Sequence, residues 1–184
     1  MNPSANLVLV GPMGSGKSSI GRRLAERFAL PFVDADHEIE AQTGATIATI
    51  FECEGEAGFR QRERAMLARL LDAEGQVLAT GGGAVLDPGN RALMRERGFV
   101  VHLHAGIEAQ LARLARDRSR PLLQRDDREQ VLRALAEVRG PLYAEVADLR
   151  FDTGIRPCAD AASELVALLA AHWRRGAASP RDVA

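Results

Sequence analysis

One stretch, Gly11-Pro12-Met13-Gly14-Ser15-Gly16-Lys17-Ser18, limits more than any other what this chain can fold into. It fits GxxxxGK[ST]. An apolar run, NLVLV, precedes it, and Ile20, Leu24 and Phe28 follow at four-residue spacing. A buried strand that turns through glycines into a helix is the setting in which this pattern forms a phosphate-binding loop. Without Cβ atoms in the way, backbone N–H groups can close around an anion. The helix start adds a favourable partial positive charge. Lys17 is expected at the β- and γ-phosphates, and the Ser18 hydroxyl at a Mg²⁺ ion. The nucleotide set read from the loop is Gly11, Gly14, Ser15, Gly16, Lys17, Ser18 and Ser19.

Composition sharpens one point. Lys17 is the only lysine among 24 basic residues; the others are arginines. G- and C-rich codons would account for the arginines but not for the lysine that survives. It stands where a compact ammonium is wanted and where a planar guanidinium fits poorly.

Strand and helix patterns alternate along the chain. Short runs at 6–10, 31–33, 76–80 and 99–103 read as strands, and Asp148 to Asp152 (DLRFD) as a last one. Helical patterns are expected at 17–29, stopped by Pro31, and at 37–43, closed by Gly44. Another starts at Thr46 and runs through Phe51, with Gly55 interrupting before a longer helix marked by Phe59, Met66, Leu67, Leu70 and Leu71. Further helices are expected at 91–96, around Leu111 and Leu114, and at 161–173. Asp126 and Glu129 read as a capping box for the helix of Val131, Leu132, Leu135 and Val138. This alternation predicts an α/β fold of the P-loop NTPase type, a three-layer α/β/α sandwich around a parallel sheet. The 184 residues fit one domain, about 1–175, with a polar tail at 176–184. A helical insertion at about 37–73 and an Arg-rich lid at about 115–126 stand outside the plain alternation. Insertions near the carboxyl ends of strands build ligand sites in such folds.

Several classes fall away. A net charge of −1 and 4% aromatic residues disfavour a nucleic-acid surface. The Arg-rich run 113–125 is diluted by Asp117. No Asn-Lys-x-Asp guanine signature is present. Cys53 and Cys158 form no CxxC pair and read as reduced thiols. The first six residues carry no targeting core, and no apolar run approaches the ~20 residues of a membrane span. A cytoplasmic monomer with no nucleic-acid or membrane partner is expected. What remains is a small-molecule or nucleotide kinase that closes over its substrates.

Three more constellations bear on substrate. Asp34 and Asp36, two apart at a strand end, can divide metal holding from contact with the attacking hydroxyl; a cap or solvated turn is the plainer alternative. Gly81-Gly82-Gly83 after a strand can bring backbone N–H groups against a ligand, or simply make a tight turn. Arg60, Arg120 and Arg139 do not stand out from the other arginines by spacing alone.

The blocks GPMGSGKSS, FVDADHEIE, TGATIATIFECEGEAGFRQRE, LATGGGAVL, RPLL and RGPLYAEVAD, in this order, resemble the shikimate kinase family over about residues 5–170. The resemblance implies phosphoryl transfer from MgATP to the 3-hydroxyl of shikimate, in aromatic amino-acid biosynthesis. It implies that Asp34 assists Ser18 at Mg²⁺ and that Asp36 contacts the reacting hydroxyl as general base. Arg60 and Arg139 would pair with the substrate carboxylate, with backbone contacts from Gly81, Gly82 and Gly83. Arg120, in the lid, would reach the phosphates and share catalysis with Asp36 and Lys17. Arg156 would border the adenine. Ser18 stands where threonine is common in the family, and Ala35 where a small hydroxyl residue is common. Phe51 and Phe59 read equally as pocket walls or core, and His102 and His104 as structural. A gluconate-type kinase and a non-catalytic nucleotide-binding regulator are the rival readings.

Overall fold

The computed structural model describes residues 4–115 and 127–174. Its centre is a five-stranded parallel sheet in the order β2-β3-β1-β4-β5. The strands are β1 (Asn6–Val10), β2 (Phe32–Asp34), β3 (Val77–Ala79), β4 (Gly98–His104) and β5 (Leu149–Asp152). In the central strand Leu7 lies opposite Val77 on one side and Phe99 on the other.

All five residues of β1 are buried, which is why the strand reads as an unbroken apolar run rather than an alternating one. Successive side chains still point to opposite faces. Leu7 and Leu9 pack with Ile20 and Leu24 of α1 (Lys17–Phe28) and with Leu165 and Leu169 of α7 (Cys158–His172). Val8 and Val10 pack with Leu67 of α3 (Ile47–Asp72), Met94 of α4 (Pro88–Arg97) and Tyr143 of α6 (Arg128–Val146). Each fully buried Leu or Val contributes about 1.5–3 kcal/mol. Two helical layers on one sheet give the expected α/β/α sandwich.

Because every strand is parallel, all their carboxyl ends meet at one edge of the sheet. β1 runs there into the phosphate loop, β2 into Asp34 and Asp36, and β3 into Gly81-Gly82-Gly83. The chain patterning thereby brings together motifs that are far apart in sequence.

The helices α2 (Ala35–Thr43) and α3 carry a small core of their own, Ile39, Ile50, Phe59 and Met66. Gly55, at φ 69° and ψ −177°, breaks α3 where the sequence predicts an interruption. Arg62 spans the break, donating to both carboxylate oxygens of Glu54 at 2.6 and 2.8 Å. Thr46 caps α3 by accepting from the Thr49 N–H at 3.1 Å.

Some boundaries differ from expectation. α1 ends at Phe28, and Ala29 takes a left-handed conformation (φ 52°) while the Leu30 N–H reaches back to the Ala25 carbonyl. The reversal is complete before Pro31. α4 starts at Pro88, earlier than expected, because the Asp87 carboxylate accepts from the Asn90 N–H at 3.0 Å. A 3₁₀ turn, Ala84–Leu86, precedes it. Glu129 is turned to Arg133, 2.6 Å away, rather than to a cap, and Asp126 lies outside the described residues. So do Arg120, the expected lid apart from Ala115, and the tail 176–184.

Candidate active site

The phosphate loop is built by three glycines at positive φ: Gly11, Gly14 and Gly16. Gly16 (φ 92°) is the residue that turns the loop into α1, and the Ile20 N–H bonds back to its carbonyl at 2.8 Å. An L side chain rarely adopts that φ. Ser15 is fully buried beneath the loop. Lys17 Nζ donates to the Gly11 and Pro12 carbonyls at 2.8 and 2.9 Å, so its ammonium is parked across the loop's mouth.

At the end of β2, Ser18 Oγ donates to Asp34 Oδ2 at 2.6 Å. The other Asp34 oxygen accepts from the Asp36 N–H at 3.2 Å. Asp34 is therefore both the helix cap that its position in sequence allows and a neighbour of the loop hydroxyl. The two exposed oxygen donors suit Mg²⁺, which takes one or two carboxylates and fills its octahedron with phosphate and water. Among the described residues no group of three or more His, Cys, Asp or Glu could hold a metal unaided.

The third strand end gathers charged side chains around the triple-glycine turn. A Cβ on Gly83 would come within 2.3 Å of Arg60 Nη2, and one on Gly81 within 2.7 Å of Glu63 Oε1 and 2.8 Å of Asp36 Oδ1. A Cβ on Gly82 would stand 3.6 Å from Arg139 Nη1. The triple-glycine turn is thus in contact range of four charged side chains: Arg60 and Glu63 from α3, Arg139 from α6, and Asp36. Absence of side chains at the turn is what admits them.

Electrostatics at the turn are uneven. Arg60 donates to Glu63 at 2.6 Å and to Glu56 at 3.2 Å. Burial opposes the Arg60 charge, but Glu63 and Glu56 more than offset it and hold the guanidinium ionised. Glu63 is only 1% exposed, against 21% for Arg60. Burial therefore dominates at Glu63, aided by the negative charge of Asp36, and its carboxyl sits above the ordinary range despite Arg60 and Arg139. The pair secures Arg60 more than it secures Glu63.

Sequence reasoning assigned no role to Glu63 or Tyr143. Their spacing could have flagged them: Glu63 follows Arg60 by three residues and Tyr143 follows Arg139 by four, so each shares a helix face with its arginine. Arg113, on α5 (Ile107–Leu114), was also passed over. It donates to the Gly14 carbonyl at 2.9 Å and to the Gly154 carbonyl at 2.6 Å, tying the phosphate loop to the turn after β5. Arg156 lies after that turn. It is paired with Glu164 and sits over the Phe151 ring. Phe59 is core, and Phe51 packs on it with ring centroids 4.6 Å apart. His102 is buried, and burial first, then the charges of His104, Arg150 and Lys17, lower its pKa to about 4, so it is a neutral structural residue.

The family model for shikimate kinase matches residues 13–170. The chain belongs to the shikimate kinase family. A shikimate kinase of Stenotrophomonas maltophilia (strain K279a) is 61% identical over 180 residues, covering 98% of this chain and all of that one. One from Xanthomonas campestris pv. campestris (strain 8004) is 60% identical over 174 residues, covering 95% and 97%. The solved shikimate kinase from Acinetobacter baumannii, in complex with shikimate, superposes with a TM-score of 0.88 at 48% identity, over 92% of this chain and 95% of that one. A gluconokinase from Sinorhizobium meliloti 1021, at 22% identity and a TM-score of 0.56, shares the fold alone.

Proposed function

We propose that this enzyme transfers the γ-phosphoryl group of ATP to the 3-hydroxyl of shikimate, giving shikimate 3-phosphate and ADP. The observation that carries the reading is the triple-glycine turn, with Arg60, Arg139 and Asp36 gathered around it at the same sheet edge as the phosphate loop. A small polyhydroxylated acid needs that combination. Two guanidinium groups can grip its carboxylate through paired N–H donors. The turn, which offers backbone N–H groups, lies against its ring, and Asp36 meets a hydroxyl facing the nucleotide.

In this reading Gly11, Gly14, Ser15, Gly16, Lys17, Ser18 and Ser19 cradle the phosphates. Lys17 leaves the Gly11 and Pro12 carbonyls for the β- and γ-phosphate oxygens, where its charge stabilises the loose transition state. Ser18 and Asp34 would hold Mg²⁺, which supplies charge neutralisation at the β- and γ-phosphates. The hydroxyl oxygen forms the new P–O bond as the bond to the β–γ bridging oxygen breaks, and the hydroxyl proton passes to Asp36. Asp36 first orients the hydroxyl, because little proton transfer is needed early in a dissociative transfer. Fixing the carboxylate at Arg60 and Arg139 holds the reacting oxygen in line, an effect worth up to about 7–11 kcal/mol of barrier. Arg120 is assigned to the phosphates and Arg156 to the adenine side by family resemblance. The enzyme would act as a cytoplasmic monomer; no helix of the described residues is long and apolar enough to cross a membrane.

The test is ADP release with MgATP, with and without shikimate. A large shikimate-dependent rate, absent with quinate or gluconate, supports the reading. A low rate indifferent to shikimate overturns it.

A further inference from the structure

We infer that Tyr143 is a positioning residue for acid recognition, locking the triple-glycine turn and Arg139 into one rigid unit. The inference rests on the acid site assigned above. Tyr143 is 2% exposed, and its hydroxyl donates to the Gly82 carbonyl at 2.5 Å. It lies four residues after Arg139 on α6, whose helical run continues through Pro141. The positive charge of Arg139 acts on the phenol, but burial dominates: the Tyr143 pKa is pushed up to about 12, so the hydroxyl keeps its proton at any working pH.

The geometry gives that proton a specific task. Glycines have no side chains through which a turn can be anchored, so Gly81-Gly82-Gly83 must be held by its backbone. Within the turn, a carbonyl held on one side fixes the plane of the following peptide. The Gly82 carbonyl and the Gly83 N–H share one peptide unit and point in roughly opposite directions. Tyr143 thereby aims a backbone donor away from α6, while Arg139 stands one helical turn earlier on the same face. The ring itself is fixed by packing on His102, with centroids 5.0 Å apart and planes 30° apart, and by Val8, Val10 and Val146 in the core. Neutral His102 adds no charge that would compete with Arg139 for the substrate. No contact of Tyr143 reaches Lys17, Ser18 or Asp34 among those described, so its influence should fall on the acid and not on the nucleotide.

The test is Tyr143→Phe, which keeps the ring and deletes only the donor. Shikimate and ATP affinities would be measured separately by calorimetry, kcat and KM for each substrate by coupled assay, and Tm by thermal melting. The expected result is a shikimate Kd and KM raised about tenfold, the size of one lost buried hydrogen bond. ATP binding should stay within about twofold, since the phosphate loop is untouched. Amide exchange at Gly82 and Gly83 should quicken. An unchanged shikimate affinity, or equal losses for both ligands accompanied by a lower Tm, overturns the inference. Arg139→Ala separates the two layers of argument. If it spares shikimate binding, the acid site itself is misassigned. If it abolishes binding while Tyr143→Phe does not weaken it, only the positioning role falls. Should Tyr143→Phe not fold, amide exchange in the parent decides: Gly82 and Gly83 amides slowed by shikimate but not by ATP support the inference, and amides slowed equally by both ligands, or by neither, overturn it.

Discussion

Arg60 Nη1 stands 2.6 Å from Glu63 Oε2, and the carboxylate it touches is the more deeply buried of the two. The guanidinium proposed to bind the substrate acid is thus held, in the free protein, by an acid of the protein's own. Removing Arg60 strands Glu63 beside Asp36. Arg60→Ala should cost about 1–3 kcal/mol, less than the 3–5 of a fully buried pair because Arg60 is partly solvated. A urea midpoint shift measures it; no shift would mean that Glu63 is relieved by Arg139 alone.

The same carboxyl makes stability depend on pH in an unusual direction. Glu63 has its folded pKa raised by burial, so the native state holds the proton more tightly than the unfolded chain. Its contribution is fullest below the ordinary carboxyl pKa and is lost as pH rises through the folded value. Most acids in folded proteins do the reverse. Glu63→Gln should flatten this part of the stability profile, and denaturation midpoints at several pH values would show it. A slope identical to the parent's would assign the effect to other groups.

How much of this was legible in the sequence depends on the range of the signal. The phosphate loop is a contiguous string whose chemistry and backbone needs lie within eight residues, so the strand, glycine turn and helix that carry Lys17 and Ser18 form as expected. The first four strands were legible as short, largely apolar runs, β5 as an alternating one in which only Phe151 is buried, and the Gly55 break because glycine punctuates a helix. The acid site is different. Arg60, Gly83 and Arg139 come from three distant segments, and only the parallel sheet brings them to one edge. Resemblance, not spacing, singled out the arginines. Glu63 was hidden because a carboxylate beside an arginine on a helix reads as a surface pair until its burial is seen. The end of α1 was misplaced by one residue, because nothing in the sequence marks Ala29 as left-handed.

That left-handed alanine gives a stability prediction. Ala29 is exposed at φ 52°, a conformation costing an L residue about 1–2 kcal/mol that glycine escapes. Glycine loses more entropy on folding, which offsets part of the gain. Ala29→Gly should therefore stabilise by about 0.5–1 kcal/mol, read from the denaturation midpoint, with kinetics unchanged.

Gly83→Ala tests the acid site without deleting a charge. The new methyl would fall 2.3–2.6 Å from the Arg60 guanidinium and must push it aside. The far end of a long side chain can move cheaply, so the fold should survive with a Tm near the parent's. Shikimate KM should rise about tenfold or more, since misplacing a carboxylate clamp by an ångström costs orders of magnitude. Unchanged KM would place the working position of Arg60 elsewhere.

Asp36→Asn separates the two aspartates at the end of β2. Asp34 is tied to Ser18, on the side proposed for the metal, whereas Asp36 Oδ1 lies 2.8 Å from where a Gly81 Cβ would be, on the side proposed for the substrate. An asparagine keeps the shape and the backbone N–H that bonds to Asp34, so α2 and the Ser18–Asp34 contact should persist. It cannot take the hydroxyl proton. Turnover should fall by about 10²–10⁴, the usual range for a lost general base, with ATP affinity unchanged. Asp34→Asn should instead weaken the dependence on Mg²⁺ concentration. Titrating Mg²⁺ against rate for both variants distinguishes them: a raised Mg²⁺ requirement in Asp36→Asn with a normal maximal rate would exchange the two roles.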